Sequence, residues 1–194
     1  MNLPKLIIRL PDWVASLLAL WPPCLPDHQD QMRLAIELSA KNAETGIDGP
    51  FGAAVFDDRG RLVSAGVNMV ISGGSSILHA EMIAIALAQK KVGRFDLSGG
   101  GQRRYHLFSS TEPCAMCLGA IPWSGLSRLF CGARDEDARA IGFDEGAKPS
   151  DWATALNQRG VQVERDLLRW KAVAVLNRYA SSGGKIYNPV FPSE

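Results

Sequence analysis

The chain has 194 residues, of which 46% are hydrophobic and 21% charged, a composition typical of a globular protein with one sizeable core. Its 21 basic side chains are balanced by 20 acidic ones, so the basic excess expected of a nucleic-acid-binding protein is missing and a nucleic-acid substrate is disfavoured. Four cysteines are too few for a disulfide scaffold and suit a reducing compartment.

The N-terminal arm, residues 1–26, carries apolar side chains at helical spacing that are interrupted by prolines and charged residues. We expect a short helix that packs on the core or on a partner subunit. No apolar run reaches the roughly 18 residues of a membrane span, and no signal peptide is evident. We therefore expect a cytoplasmic protein without a membrane segment.

Residues 27–180 are predicted to form the main domain, which begins with a helix capped by Asp27 that ends at Thr45. Two strand-like segments, 51–57 and 61–68, flank a turn at 58–60 and predict a β-hairpin. The further predicted elements are helices over 79–91, 114–123, 151–158 and 167–180, and strands over 105–110, 127–133 and 161–166. The polar stretch 134–150 is predicted to be mostly irregular, and residues 181–194 form a C-terminal tail.

This order of elements predicts an α/β protein with a mixed five-stranded sheet and helices on both faces, a three-layer α/β/α arrangement. The helices over 79–91 and 114–123 begin at residues that can bind metal. Positive potential at a helix N-terminus lowers the pKa of a nearby thiol, and ligands of open α/β sheets bind beyond the strand ends. We therefore expect a functional site at the starts of these two helices.

Two short motifs carry the chemistry: an H-x-E motif at His79 and Glu81, and a P-C-x-x-C motif that contains Cys114 and Cys117. Two thiolates and one imidazole form a tetrahedral zinc site whose fourth position is open, which is typical of catalytic zinc. Glu81 is surplus to this ligand set, and a carboxylate so placed can move a proton of the water that such a metal activates. The sequence therefore predicts one Zn²⁺ per chain and a proton carrier beside it.

In these motifs, within HAEMIAIA and TEPCAMC, and also in PFGAAVF and AGVNMV, the chain resembles the cytidine deaminase-like superfamily. It is similar there to the branch that holds guanine deaminases and tRNA adenosine deaminases. The later stretch IPWSGLSRLFCGARDEDARAIGFDEG, with IYN near the end, resembles bacterial guanine deaminases, especially a subgroup associated with the triazine ammeline. The resemblance covers about 10–188. It implies the cytidine deaminase-like fold, hydrolysis of a free nucleobase or triazine as in purine catabolism, and a homodimer.

The resemblance also implies roles for the matching residues. His79, Cys114 and Cys117 would bind zinc, and Glu81 would be the proton shuttle. Glu145 would handle a second proton transfer near the leaving amino group. The implied substrate contacts, from the base edge to the ring pocket and the lid, are Asn68, Phe51, Trp123, Ala80, Asp144 and Tyr187. The tail that carries the lid would cover a pocket, often that of the partner subunit.

From the residues alone, several of these side chains have plain structural alternatives. Asn68 follows a strand, where it is also a common turn residue. Phe51 and Trp123 are equally ordinary as core aromatics. Asp144 and Glu145 form either a solvated pair or a pair with one carboxylate turned into the pocket, and the spacing does not decide between these.

The leading hypothesis is hydrolysis of guanine to xanthine and ammonia, and three alternatives stay open. The first is deamination of another small substrate, such as ammeline, cytosine or guanosine. The second is tRNA adenosine deamination, which is disfavoured because residues 76–78 read S-I-L where those enzymes commonly carry D-P-T, and because a basic C-terminal extension is missing. The third is a non-catalytic zinc-binding subunit, in which the surplus Glu81 would have no purpose.

Overall fold

The computed structural model describes residues 3–189, and in them the predicted order of elements is confirmed apart from one additional helix. The elements are α1 (Asp12–Leu18), α2 (His28–Glu44), β1 (Gly52–Asp57), β2 (Leu62–Val67), α3 (Ala80–Val92), β3 (Tyr105–Thr111), α4 (Ala115–Trp123), β4 (Arg128–Ala133), α5 (Asp135–Ala140), α6 (Trp152–Gln158), β5 (Gln162–Glu164) and α7 (Arg169–Ser181). The boundaries of the predicted elements lie within two residues of those observed.

The five strands form one mixed sheet in the order β2-β1-β3-β4-β5. β1 pairs antiparallel with β2 and β3, whereas β4 is parallel to both β3 and β5. The predicted mixed sheet is therefore confirmed. Because β3 and β4 are parallel, their C-terminal ends lie side by side, and the segments that follow them are brought together there.

Helices cover both faces of this sheet. α1, α2 and α7 pack on one face, where the rings of Phe108 and Phe130 stack with centroids 4.3 Å apart. α3, α4 and α6 pack on the other face, over the fully buried side chains of Leu107, Ile121 and Leu129. Each such buried side chain stabilises the fold by roughly 1.5–3 kcal/mol. The two cores hold the sheet rigid beneath the helix starts.

Helix α5 corrects the prediction that the stretch 134–150 is irregular. Its first turn is acidic, as the helix dipole favours, and the Asp137 carboxylate accepts a hydrogen bond from the Arg134 backbone N–H at 2.7 Å. Only Ala138 is buried, so α5 lacks the apolar stripe by which a helix is recognised in a sequence. Its capping and its charges define the helix.

The N-terminal arm folds back on the domain through α1. Val14 and Leu17 are buried in the core beside α2, and the Trp21 indole donates a hydrogen bond to Glu37 of α2 at 2.8 Å. In the described part of the chain, no helix combines the length and the apolarity that crossing a bilayer demands. The first two residues of the arm and the last five of the tail lie outside the described range.

Close packing of α3 on β2 places the H-x-E motif at the edge of the sheet. Gly66 of β2 faces the first turn of α3, and a Cβ atom there would collide with the carbonyl oxygen of Ala80. Glycine therefore allows the helix start to approach the strand. α4 begins four residues after the end of β3, so both motifs reach the same edge.

Candidate active site

The three predicted metal ligands converge at the starts of α3 and α4. His79 and Cys114 are the residues that directly precede these helices, and Cys117 lies in the first turn of α4. Nδ1 of His79 is 3.4 Å from Sγ of Cys114, and the ligand atoms of all three residues lie within 4.8 Å of one another. Ligands on a tetrahedral zinc ion are about 3.6 Å apart when Zn–N and Zn–S bonds have their usual lengths. The donor set and its spacing therefore fit one zinc ion.

The two thiols of this cluster have opposite acidities. A hydrogen bond from Cys117 lowers the pKa of the Cys114 thiol to about 4, and His79 assists against the opposing effect of burial. Hydrogen bonding with Cys114, together with burial, raises the pKa of the Cys117 thiol. The pair therefore retains one proton and one negative charge at neutral pH. A zinc ion would displace that proton, because thiolates are the ligands it binds.

Glu81 lies in the first turn of α3, two residues after His79, and only 6% of its surface is exposed. Burial raises the pKa of its carboxyl group, and the Cys114 thiolate raises it further. A carboxyl group with a raised pKa is suited to accept and release a proton near neutral pH. The side chain predicted to carry protons therefore stands beside the ligand cluster without belonging to it.

A cavity of about 120 Å³ opens beside the ligand cluster, which is small relative to the roughly 300–1,000 Å³ of clefts for drug-sized ligands. Its lining residues are Phe51, Asn68, Val70, Ser76, His79, Glu81, Glu112, Cys114, Phe143, Asp144, Glu145, Tyr187, Asn188 and Pro189. Both predicted proton carriers and four of the six predicted substrate contacts are among them. A single chain thus assembles most of the predicted site.

Asn68 follows β2 and is 1% exposed. Its Oδ1 accepts a hydrogen bond from the Val70 backbone N–H at 3.2 Å, which orients the amide and leaves Nδ2 without a partner. A buried donor without a partner costs about 1–3 kcal/mol, which an acceptor on a ligand would remove. Oδ1 of Asn68 therefore stabilises the turn, as the structural alternative expects, while Nδ2 is available to bind a ligand.

Glu145 reaches the cavity from the loop after α5 and is 5% exposed. Burial raises the pKa of its carboxyl group to about 8, with contributions from the negative charges of Cys114 and Glu81. Its neighbour Asp144 is exposed at the cavity mouth and accepts a hydrogen bond from the Gly146 N–H at 2.8 Å. Of the acidic pair, Glu145 is therefore the carboxylate that turns inward.

Phe51, Phe143 and Tyr187 form an aromatic wall in the lining of the cavity. Phe51 and Phe143 meet edge to face with centroids 4.9 Å apart, and Phe143 meets Tyr187 in the same way at 5.2 Å. Burial raises the pKa of the Tyr187 hydroxyl. Tyr187 covers the cavity of its own chain. Phe143 was not predicted, because its polar and irregular surroundings give no sequence signal for a buried aromatic.

The lining of this cavity does not include the other two predicted substrate contacts, Trp123 and Ala80. Trp123, the last residue of α4, is 78% exposed, and the Arg159 guanidinium lies 6.0 Å from the centre of its ring. Six residues of helix, about 9 Å, separate it from Cys117 and carry it away from the cavity. The side chain of Ala80 is fully buried in the core between α3 and the sheet, because Cβ of the first residue of α3 points inward.

The fold and the site together define a zinc-dependent deaminase of the cytidine deaminase-like class. A family model described as the cytidine and deoxycytidylate deaminase zinc-binding region matches residues 25–133, and the chain belongs to that family. The predicted superfamily, fold class and zinc cofactor are thereby confirmed.

Within this family the chain is similar to guanine deaminases. It is 36% identical over 119 residues to guanine deaminase of Bacillus subtilis, a match that spans 61% of this chain and 72% of the relative. The solved structure of guanine deaminase from Nitrosomonas europaea is 41% identical, covers 91% of this chain and 97% of that chain, and superimposes with a TM-score of 0.86. A tRNA-specific adenosine deaminase from Haemophilus influenzae is 35% identical over 114 residues, or 59% of this chain and 62% of the relative.

Proposed function

We propose that this protein is a zinc-dependent aminohydrolase that converts guanine and water to xanthine and ammonia. The observation that carries the proposal is the buried Glu81 carboxyl group beside a three-ligand cluster that opens onto a small cavity. A structural zinc site needs neither an adjoining cavity nor a proton carrier. The similarity to guanine deaminases supports guanine over other amino-heterocycles.

Bound by His79, Cys114 and Cys117, zinc would supply the Lewis acidity that makes water a nucleophile near neutral pH. Glu81 accepts the proton that the attacking water loses and delivers it to the adjacent ring nitrogen, N3 of guanine, while a C–O bond forms at C2. General acid–base steps of this kind contribute about 10²–10⁴-fold each. After this step C2 carries both the new hydroxyl group and the amino group.

Glu145 would assist the second half of the reaction. Burial raises the pKa of its carboxyl group, which favours the protonated form near neutral pH, so it can donate a proton to the amino nitrogen. The C–N bond then breaks and ammonia leaves with the bonding electrons, while C2 becomes the carbonyl carbon of xanthine. The hydroxyl proton released at this step restores the protonated carboxyl group.

Recognition of the base follows from the cavity lining. The free Nδ2 donor of Asn68 would pair with an acceptor on the purine, and the edges and faces of Phe51 and Phe143 would contact the ring. The small volume and the Tyr187 lid favour a free base over a nucleoside. Ammeline and other small amino-heterocycles offer similar groups and are the second candidates.

The tail also argues against tRNA as the substrate. Residues 187–189 line the cavity, so an RNA loop would have to displace them. The near-neutral net charge provides little of the phosphate attraction that RNA binding needs.

We propose a homodimer in the cytoplasm as the working form. On α4, Met116 and Trp123 are 36% and 78% exposed, and their separation of seven residues places them on the same side of the helix. Large exposed apolar side chains on one helix are typical of subunit interfaces. Analytical ultracentrifugation of the wild type and of Trp123→Glu tests this, and a wild type that sediments as a monomer would contradict it.

The experiment for the function is ammonia release by the zinc-loaded protein from guanine, ammeline, guanosine, cytosine and adenosine. We expect the highest kcat/KM with guanine and xanthine as the product. Turnover of ammeline alone would replace the substrate within the same mechanism. No turnover of any of them, with zinc bound, would favour a non-catalytic subunit.

A further inference from the structure

The loop that carries Glu145 is held in place by a charged side chain from α5. The Gly146 carbonyl oxygen, directly after Glu145, accepts a hydrogen bond from Nη2 of Arg139 at 2.6 Å. Nε of the same guanidinium donates to Oδ2 of Asp135 at 2.6 Å. Since Arg139 bonds both partners at once, the position of the loop depends on the position of the Asp135 carboxylate.

The other oxygen of that carboxylate faces a second cation. Nζ of Lys148 lies 2.6 Å from Oδ1 of Asp135 and donates to the Pro113 carbonyl oxygen at 2.9 Å. Only 6% of the Lys148 side chain is exposed, and its ammonium lies 5.6 Å from the centre of the Trp152 ring. Pro113 directly precedes the metal ligand Cys114, so this contact fixes the far end of the network on the metal side.

We infer that Asp135 is a positioning residue for Glu145, acting through Arg139 and Lys148, and this inference rests on the proposed role of Glu145 in catalysis. The three side chains join the residue before a metal ligand to the residue after Glu145. A backbone hydrogen bond also connects the same two segments directly, because the Ala115 N–H donates to the Glu145 carbonyl oxygen at 2.9 Å. One network therefore sets the distance between the ligand cluster and the second proton carrier.

Burial of Lys148 distinguishes its contact with Asp135 from an ordinary surface ion pair. Exposed pairs contribute little and are screened by solvent and salt. The ammonium of Lys148 is buried, and such a charge is strongly destabilised when its partner is removed. In the described part of the chain, the side chains of the Arg134–Asp166 pair, 36% and 39% exposed, form no hydrogen bond or ion pair with residues 141–148 and provide a matched control.

The test compares kcat and KM for Asp135→Asn, Arg139→Leu and the control Asp166→Asn, all loaded with zinc. Because a misplacement of about 1 Å can cost up to about 10²-fold in rate, we expect kcat of Asp135→Asn to fall about tenfold while KM stays within about threefold and zinc content is unchanged. Arg139 is 41% exposed, so Arg139→Leu should fold normally and show the same loss of kcat alone. Asp166→Asn should match the wild type.

A double-mutant cycle with Glu145→Ala separates positioning from general stabilisation. If Asp135 acts through Glu145, Asp135→Asn should change kcat by less than about twofold in the Glu145→Ala background. Additive losses, or a wild-type kcat for Asp135→Asn and Arg139→Leu, would overturn the inference. A wild-type kcat for Glu145→Ala alone would instead overturn the proposed role of Glu145, and the inference with it.

Hydrogen exchange gives a readout that does not depend on turnover. In Asp135→Asn the amides of residues 141–148 and of Ala115 should exchange faster than in the wild type, with the amides of α3 unchanged. Unchanged exchange over 141–148 would show that the network does not hold the loop.

Discussion

The two sides of the cavity are built by different means. The metal side consists of the ligand cluster and Glu81, which lie in the first turns of α3 and α4 or just before them. The rest of the lining includes Glu145, Phe143 and Tyr187, which come from a loop and the C-terminal tail. Helix starts are fixed by neighbouring residues, whereas the loop and the tail depend on contacts between distant parts of the chain. The site therefore has two halves. The rigid half is fixed by the starts of α3 and α4, and the loop half is held in position by contacts with distant residues.

The largest effect is expected on the rigid half, for Glu81→Gln. The amide has the size of the acid and cannot carry the proton, so we expect kcat to fall about 10³-fold, within the range of general acid–base catalysis. Zinc content, measured by mass spectrometry, should stay at one ion per chain. Retention of more than about a tenth of the wild-type kcat would contradict the shuttle role.

Glu145→Ala tests the loop half, and we expect a smaller loss of about 10²-fold in kcat. The fold should be unaffected, because the structural contact of Glu145 is made by its backbone carbonyl oxygen. Thermal unfolding and kcat are measured beside the control Glu136→Ala, whose side chain is 65% exposed. An unchanged rate would mean that the Glu145 carboxylate has no part in the reaction.

The same division explains what the sequence predicts. His79, Glu81 and the two cysteines are predictable because short spacing at a helix start fixes their relation to one another, and the alternation of apolar residues predicts the sheet beneath them. Phe143 and the acidic helix α5 are not predictable in this way, since neither lies in an apolar pattern. The role of Trp123 was implied only by the resemblance, because the direction of a helix after its first turn is a property of tertiary packing that residue type and spacing do not predict.

The Asn68 side chain has two functions, a hydrogen bond within its own turn and a free donor in the cavity, and two substitutions can separate them. Asn68→Ala removes both the contact with Val70 and the free donor, whereas Asn68→Asp keeps an acceptor for Val70, removes the donor and adds a buried carboxyl group to the cavity that Glu81 and Glu145 also line. We expect KM for guanine to rise about tenfold in both variants, as for loss of one buried hydrogen bond. Thermal stability should fall in both variants, in Asn68→Ala through loss of the contact with Val70 and in Asn68→Asp through burial of an additional carboxyl group. A wild-type KM for Asn68→Asp would show that the donor does not bind the substrate.

The smallest effect on activity is expected for His106, which lies near the start of β3, at the end of the strand away from the active site, and pairs in register with Arg128. Burial, with the nearby charges of Arg128 and His28, lowers the pKa of His106 to about 4, against about 6.5 in an unfolded chain. The folded state therefore binds fewer protons between these values, so this contribution to stability is complete above pH 6.5 and is lost as pH falls toward 4. From pH 7 to pH 5 the loss is about 2 kcal/mol.

Urea unfolding at both pH values should show a decrease smaller by about this amount in His106→Gln than in the wild type, while kcat at pH 7 is unchanged. Equal decreases in the two proteins would mean that His106 titrates normally, and a large loss of kcat would mean that the two ends of the strand are coupled.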